Sequence, residues 1–173
     1  LQTLKLKSGA DRRLRGGHVW IYSNEVDTRH SPLKNFEHGE QVIVETDKGR
    51  PLGLAYINPN TLICARMFSR DLKYPLDRSL ITHRLKVALS LRESCYKDDC
   101  YRLVFGDSDG LPGLVIDRFF NVFVVQISTA GMERVLNEVL EALNKVFTPE
   151  AILLRNDGKM RNQEGLETYT EVV

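Results

Sequence analysis

Through residue 73 the chain shows no long helical period, and its apolar residues fall in short runs between polar turns. Val42, Ile43 and Val44 form a β-branched run. Asp47-Lys48-Gly49-Arg50 follows as a polar turn, with glycine where a positive φ is needed. Leu52, Leu54 and Tyr56, and then Leu62 to Phe68, supply further short strands, with Asn58-Pro59-Asn60 turning the chain between them. Short strands and tight turns over about 70 residues predict a small closed or half-closed β barrel for residues 1–73.

From residue 76 the pattern changes. Asp77 can cap a helix whose apolar positions, Ile81, Leu85, Ala88 and Leu89, share one face and which frays near Cys95. Strands are predicted at 101–105, 114–118 and 122–128, with the Gly- and Asp-rich run Gly106 to Gly113 turning between the first two. A single amphipathic helix is predicted next, started by Ser128 or Thr129. Its apolar positions are Met132, Val135, Leu136, Val139, Leu140, Leu143 and Phe147, and Pro149 follows its end. A strand at 151–155 and a short one at 169–173 complete an α+β layer over residues 76–173.

The remaining global features narrow the function classes. A chain of 173 residues, 42% apolar and 27% charged, is neither disordered nor collagen-like nor disulfide-dense, and it has room for one medium domain or two small ones. No apolar run approaches the roughly 20 residues of a membrane-spanning helix. The opening LQTLKLKSGADRR lacks the apolar core of a secretory signal. The start at Leu1 rather than Met suggests a processed or cloned beginning. Three cysteines without a signal peptide predict reduced thiols and a cytoplasmic location. Cys95 and Cys100 have no second cysteine pair and no nearby histidine, so zinc is poorly supported, and Cys64 in TLICARMF reads as buried filler.

Charge is unevenly distributed. Residues 1–73 hold 12 Lys+Arg and 8 acids, a net +4, whereas the rest holds 12 bases and 15 acids, a net −3. A basic first module suits a polyanion, the alternative being a chance fluctuation in surface charge. Lys5, Lys7, Arg12, Arg13 and Arg15 lie within eleven residues beside one acid, followed by Gly16, Gly17, His18 and the only tryptophan, Trp20. Bases neutralise phosphates and release counterions, and aromatic faces stack on splayed bases, so this segment suits RNA. A solvated helix face is the competing reading for the arginines. For Trp20 it is a core position, since Val19-Trp20-Ile21-Tyr22 alternates like a half-buried strand.

Two motif readings can be weighed in the second module. A calcium loop begun at Asp107 would need Gly at its sixth position and Glu at its twelfth, where this chain has Pro112 and Arg118. Asp107 and Asp109 could act as paired acid/base carboxylates of a hydrolase. Asp in a Gly/Pro turn is far more often bonded to local backbone, and no Ser, His or Cys constellation accompanies them.

Gly16-Gly17-His18-Val19-Trp20-Ile21-Tyr22-Ser23, with the bases before it, resembles the opening of a PUA domain, specifically that of PUA-fused methyltransferases of the ribosomal RNA large-subunit methyltransferase I family. The segments 39–44, 52–59 and 62–70 continue the resemblance. The run 101–118, long and nearly gap-free against the family's hairpin, is its most specific part, and 128–133, 155–161 and 164–166 extend it. The resemblance implies a mixed fold: a PUA-like RNA-binding domain at 1–73, then a central α+β domain at 76–173, expected to be incomplete at its C-terminal end. It implies the RNA-recognition portion of a cytoplasmic methyltransferase of cytosine C5. Such an enzyme uses S-adenosylmethionine in a Rossmann-like domain expected downstream and absent from this chain. Partners implied are RNA, chiefly large-subunit rRNA, and that downstream domain; no membrane is implied, and a homodimer is left open.

Departures from the family accompany this. The family has His-Pro-Trp where this chain has His18-Val19-Trp20. A cofactor loop should lie between a strand and a helix, whereas Gly106, Gly110 and Gly113 lie between two strands. The family's nucleophilic cysteine belongs to the downstream domain, so Cys64, Cys95 and Cys100 do not inherit its role, and no catalytic, cofactor or metal residue is expected in this chain. The expected RNA-binding set is Lys5, Lys7, Arg12, Arg13, Arg15, His18, Trp20 and Arg66. The alternative is a non-enzymatic PUA-type RNA-binding adaptor.

Overall fold

Strands β1 (Gln2–Lys5), β2 (Trp20–Tyr22), β3 (Gln41–Glu45), β4 (Pro51–Ile57) and β5 (Ile63–Ser69) build one sheet in the computed structural model, which describes residues 1–173. Their order is β1-β3-β4-β5-β2, with β1 parallel to β3 and the other pairs antiparallel. Period-two alternation decides the facing. Val42 and Val44 point into the core while Gln41 and Glu45 do not. The core gathers Leu4, Leu6, Ile21, Val26, Ala55, Ile57 and Met67 from across the sheet. Leu14 joins them from the one-turn helix α1 (Asp11–Arg15).

Lys5, expected only as part of a basic segment, belongs to β1, where it lies opposite Glu45. β1 and β2 form the two edges of the sheet and are not paired with each other, although an isolated bridge joins Leu6 to Val26. Gly53 explains one local demand. Its φ is +148°, and a Cβ there would run into the Ser69 carbonyl and the Met67 side chain, so only glycine lets β4 and β5 approach this closely.

Residues Leu76–Val173 form a second compact unit, distinct from Leu1–Pro75. It opens with α2 (Arg78–Cys95), capped by Asp77, whose Oδ1 accepts from the Leu80 N–H at 2.9 Å. Three antiparallel strands follow: β6 (Cys100–Phe105), β7 (Leu114–Phe119) and β8 (Val122–Ile127). A helical crossover, α3 (Ala130–Arg134) and α4 (Leu136–Val146), returns the chain to β9 (Ala151–Asn156), parallel to β8. A short α5 (Met160–Gln163) then leads to β10 (Tyr169–Val172), antiparallel to β9. The order is β10-β9-β8-β7-β6, so the molecule contains two mixed five-stranded sheets.

The single helix expected after Thr129 is two. Val135 takes φ −108°, ψ 24°, and its N–H bonds three residues back, to Met132, rather than four. This one-residue break leaves Met132, Val135, Val139 and Leu143 all buried, so the apolar spacing does not reveal it. Phe147 lies just beyond α4, yet its ring still packs 4.7 Å from that of Phe123. No helix is long and apolar enough to cross a membrane.

Candidate nucleic-acid interface

The helix α1 has one apolar anchor, the buried Leu14, so its other positions face solvent. Arg12, Arg13 and Arg15 are exposed there, and Lys7 is exposed just before it. Each charge has a defined setting. Arg13 pairs with Glu25 at 2.7 Å and lies over the Tyr22 ring, 5.2 Å from its centroid. Arg15 pairs with Asp11 at 2.5 Å, and that hydrogen bond holds the Asp11 carboxyl below its usual pKa. The Lys7 N–H donates to the Glu25 carbonyl at 2.9 Å, so Glu25 ties Lys7 and Arg13 to one place. Lys5 is half-buried, its N–H donating to Ser31 Oγ at 2.9 Å.

His18, Trp20 and Arg66 form a second group. Trp20 and Arg66 are register partners across β2 and β5, which places the guanidinium 5.2 Å from the indole centroid. His18 Nδ1 accepts from the Trp20 N–H at 3.2 Å, and the two rings meet edge to face at 5.8 Å. Trp20 is half-buried, while His18 is exposed. Arg66 is only 9% exposed, so it does not belong to the open basic surface of α1.

One residue absent from the expected set holds this region together. Arg70, just past β5, donates through Nη1 to the Leu14 carbonyl at 2.6 Å and through Nη2 to the His18 carbonyl at 2.9 Å. Its acceptors are backbone groups 56 and 52 residues away, so no side-chain pattern signals the contact.

The Gly- and Asp-rich run of the second unit is structural. Asp109 accepts two bonds from Arg92, both at 2.7 Å, and a third from the Phe105 N–H at 2.7 Å. Side-chain exposures of 13% for Arg92 and 8% for Asp109 make this a largely buried bidentate pair. The local backbone bond expected of Asp109 is there, but its main partner comes from α2. Both Asp109 oxygens are thus engaged by Arg92 and the Phe105 N–H, whereas Asp107 is exposed. Asp109→Asn should lower unfolding free energy by about 2–3 kcal/mol in urea titration, because the amide cannot accept both Arg92 bonds. A change below about 0.5 kcal/mol would show the pair to be incidental.

Two of the three glycines of this run, Gly110 and Gly113, have their space filled, while Gly106 faces open space. The Arg84 side chain packs against Gly110 and its guanidinium donates to the Gly110 carbonyl, and a Cβ on Gly113 would overlap Thr129. Among the thiols, Cys64 is fully buried, and burial pushes its pKa up to about 12. Cys95 and Cys100 are exposed. No group of three or more His, Cys, Asp or Glu residues could hold a metal ion.

A family model for a PUA-like domain matches residues 4–70, the span that includes α1, the whole five-stranded sheet but its first residues, and Arg70. Residues 4–70 are thus similar to a PUA-like domain. The similarity continues past that domain. The chain is 33% identical over 174 aligned residues to the ribosomal RNA large subunit methyltransferase I of Aliivibrio fischeri, covering 99% of this chain and 43% of that protein. It is 34% identical over 167 residues to the Klebsiella pneumoniae protein of the same name, covering 95% of this chain and 41% of that one. The chain thus spans about two-fifths of the length of the curated relatives it matches.

Among solved structures, a candidate SAM-dependent methyltransferase from Streptococcus mutans aligns with a TM-score of 0.72 at 18% identity, over 88% of this chain and 40% of that one. A candidate methyltransferase complexed with SAH aligns equally well. At that identity the likeness shows a shared fold. The PUA-like domain and its neighbouring unit therefore resemble the corresponding portion of SAM-dependent rRNA methyltransferases. The glycine-rich run of this chain does not fit that cofactor. It joins two antiparallel strands, no helix follows it, and Arg84 and Thr129 occupy the space a phosphate- or ribose-binding loop would leave open.

Proposed function

We propose that this chain is the RNA-recognition portion of a SAM-dependent rRNA (cytosine-C5) methyltransferase, and that it binds RNA without itself catalysing methyl transfer. The observation that carries the reading is the exposed arginine cluster on α1, held within a PUA-like domain in a chain one-third identical to rRNA methyltransferases along nearly its whole length. Residues 1–73, a half-closed barrel, are the RNA-binding domain, and residues 76–173 are the central domain of the same enzyme. Lys5, Lys7, Arg12, Arg13 and Arg15 meet phosphates. His18, Trp20 and Arg66 form an adjoining aromatic-cationic edge for an unstacked base. S-adenosylmethionine binds a further, downstream Rossmann-like domain of the full-length, cytoplasmic protein. Large-subunit rRNA is its substrate.

The packing of Arg84 on Gly110 and of Thr129 on Gly113, and the buried Cys64, support assigning catalysis elsewhere. The test uses the chain with fragments of large-subunit rRNA and labelled S-adenosylmethionine. Binding that falls linearly with the logarithm of salt concentration, with no label transferred, is the expected result. Label transfer would place catalysis within these residues, and salt-independent binding would remove the phosphate reading.

A further inference from the structure

We infer that Arg70 is a positioning residue for RNA: it sets the shape of the basic surface without neutralising a phosphate itself. The inference rests on the RNA-binding reading above and extends it to a residue that the charge pattern does not distinguish from any other surface arginine.

The geometry is that of a clamp. Leu14 is in the last turn of α1, and His18 begins the approach to β2; between them the chain turns through Gly16 and Gly17. One guanidinium bonds the carbonyls at both ends of this turn, at 2.6 and 2.9 Å. A planar fork with fixed spacing can hold two carbonyls at once in a way a flexible ammonium cannot. The Leu14 carbonyl already accepts from the Gly17 N–H at 3.1 Å, and Arg70 adds a second, charged donor at the helix C-terminus, where a cation is favourably placed. The helix needs that support. It is one turn long, has no side-chain cap at its N-terminus and contributes a single apolar residue to the core.

The consequence concerns where charge stands. Arg12, Arg13 and Arg15 lie on the helix whose end Arg70 fixes, and His18 supplies the second carbonyl. Two of the five guanidinium N–H donors of the exposed Arg70 are used on these carbonyls, and on this inference Arg70 acts through the placement of these residues. Gly17 offers an independent handle on the same turn. Its φ is +102°, and a Cβ there would meet nothing within 4 Å, so Gly17→Ala changes backbone preference without a clash and without touching any charge.

The experiment measures dissociation constants of the folded chain for an rRNA fragment across a salt series. The proteins are wild type, Arg70→Lys, Arg70→Ala, Gly17→Ala and the triple variant Arg12→Glu/Arg13→Glu/Arg15→Glu. For Arg70→Lys and Arg70→Ala, affinity should fall about tenfold, the scale of losing a charge-assisted hydrogen bond, and for Gly17→Ala it should fall through the strain of an alanine at φ +102°, with the salt slope unchanged in all three. The triple variant should lower the slope. Wild-type affinity in Arg70→Lys would show that positive charge alone suffices and would overturn the inference. So would a slope reduced by about one in Arg70→Ala, since Arg70 would then be a phosphate contact. Wild-type affinity in Gly17→Ala would overturn it without relying on any arginine variant. A triple variant that binds as wild type would instead refute the RNA surface itself, which separates the two failures.

Discussion

Reversing Arg12, Arg13 and Arg15 to glutamate should reduce affinity for rRNA by about a hundredfold or more at low salt and flatten the salt dependence by roughly two to three. All three side chains are exposed on α1 and make no contribution to the core. Their loss removes up to three phosphate contacts, each worth about 0.7 to 0.9 in the slope of log K against log salt. The substitutions also place new carboxylates beside Glu25 and Asp11, the present partners of Arg13 and Arg15. The arginine of each pair is exposed to solvent, so its removal should cost about 1 kcal/mol in stability. Circular dichroism and urea unfolding establish that the variant is folded before binding is compared. Unchanged affinity and slope in a folded variant would sink the assignment of this helix to RNA.

Arg161→Met should destabilise the second unit by about 3–5 kcal/mol. Arg161 is only 2% exposed. Its Nη1 donates to the Ile127 carbonyl and to Glu133 Oε2, both at 2.8 Å, its Nε donates to the Glu167 carbonyl at 2.7 Å, and its guanidinium lies over the Tyr169 ring. One side chain thus joins the end of β8, the helix α3 and the approach to β10. Methionine fills similar volume but leaves the Ile127 and Glu167 carbonyls without their Arg161 bonds and Glu133 with only the Tyr169 hydroxyl, and under-satisfied buried groups carry the penalty. The urea midpoint should drop with little change in m. Adding Glu133→Gln should cost less than it does alone, because its charged partner is already gone. A loss below about 1 kcal/mol would mean that water replaces Arg161 and that the three elements do not depend on it.

The fold was legible where local rules suffice. The strands of the second unit lie between turns marked by Gly, Asp and Asn, and Asp77 caps α2 as its position suggests. β1 was not legible, because Lys5 and Lys7 read as charge and its partner, β3, lies some forty residues on and runs parallel, with no hairpin turn to announce it. The break at Val135 is invisible to periodicity because both helical pieces keep the same buried face. At the site, composition located the exposed arginines of α1, which side-chain charge reveals directly. It could not rank them against Arg66, whose burial depends on its strand register with Trp20. Arg70 and the Arg92–Asp109 pair escaped for one reason: their partners are distant in sequence, and in Arg70's case are backbone groups that every residue carries.

The parallel pairing of β1 with β3 has a consequence for the order in which this molecule becomes competent. Residues 2–5 can take their place only once residues 42–45 exist and have begun to fold. Closing so long a loop is slow relative to forming neighbouring hairpins. During synthesis the first basic residues therefore emerge as an unanchored, mobile string that carries the same charge but no fixed arrangement. Lys5 takes its place only after β3 has been made, and the end of the helix that carries the arginines is fixed only once Arg70 has emerged, so discrimination among polyanions should develop late, with the completion of the sheet.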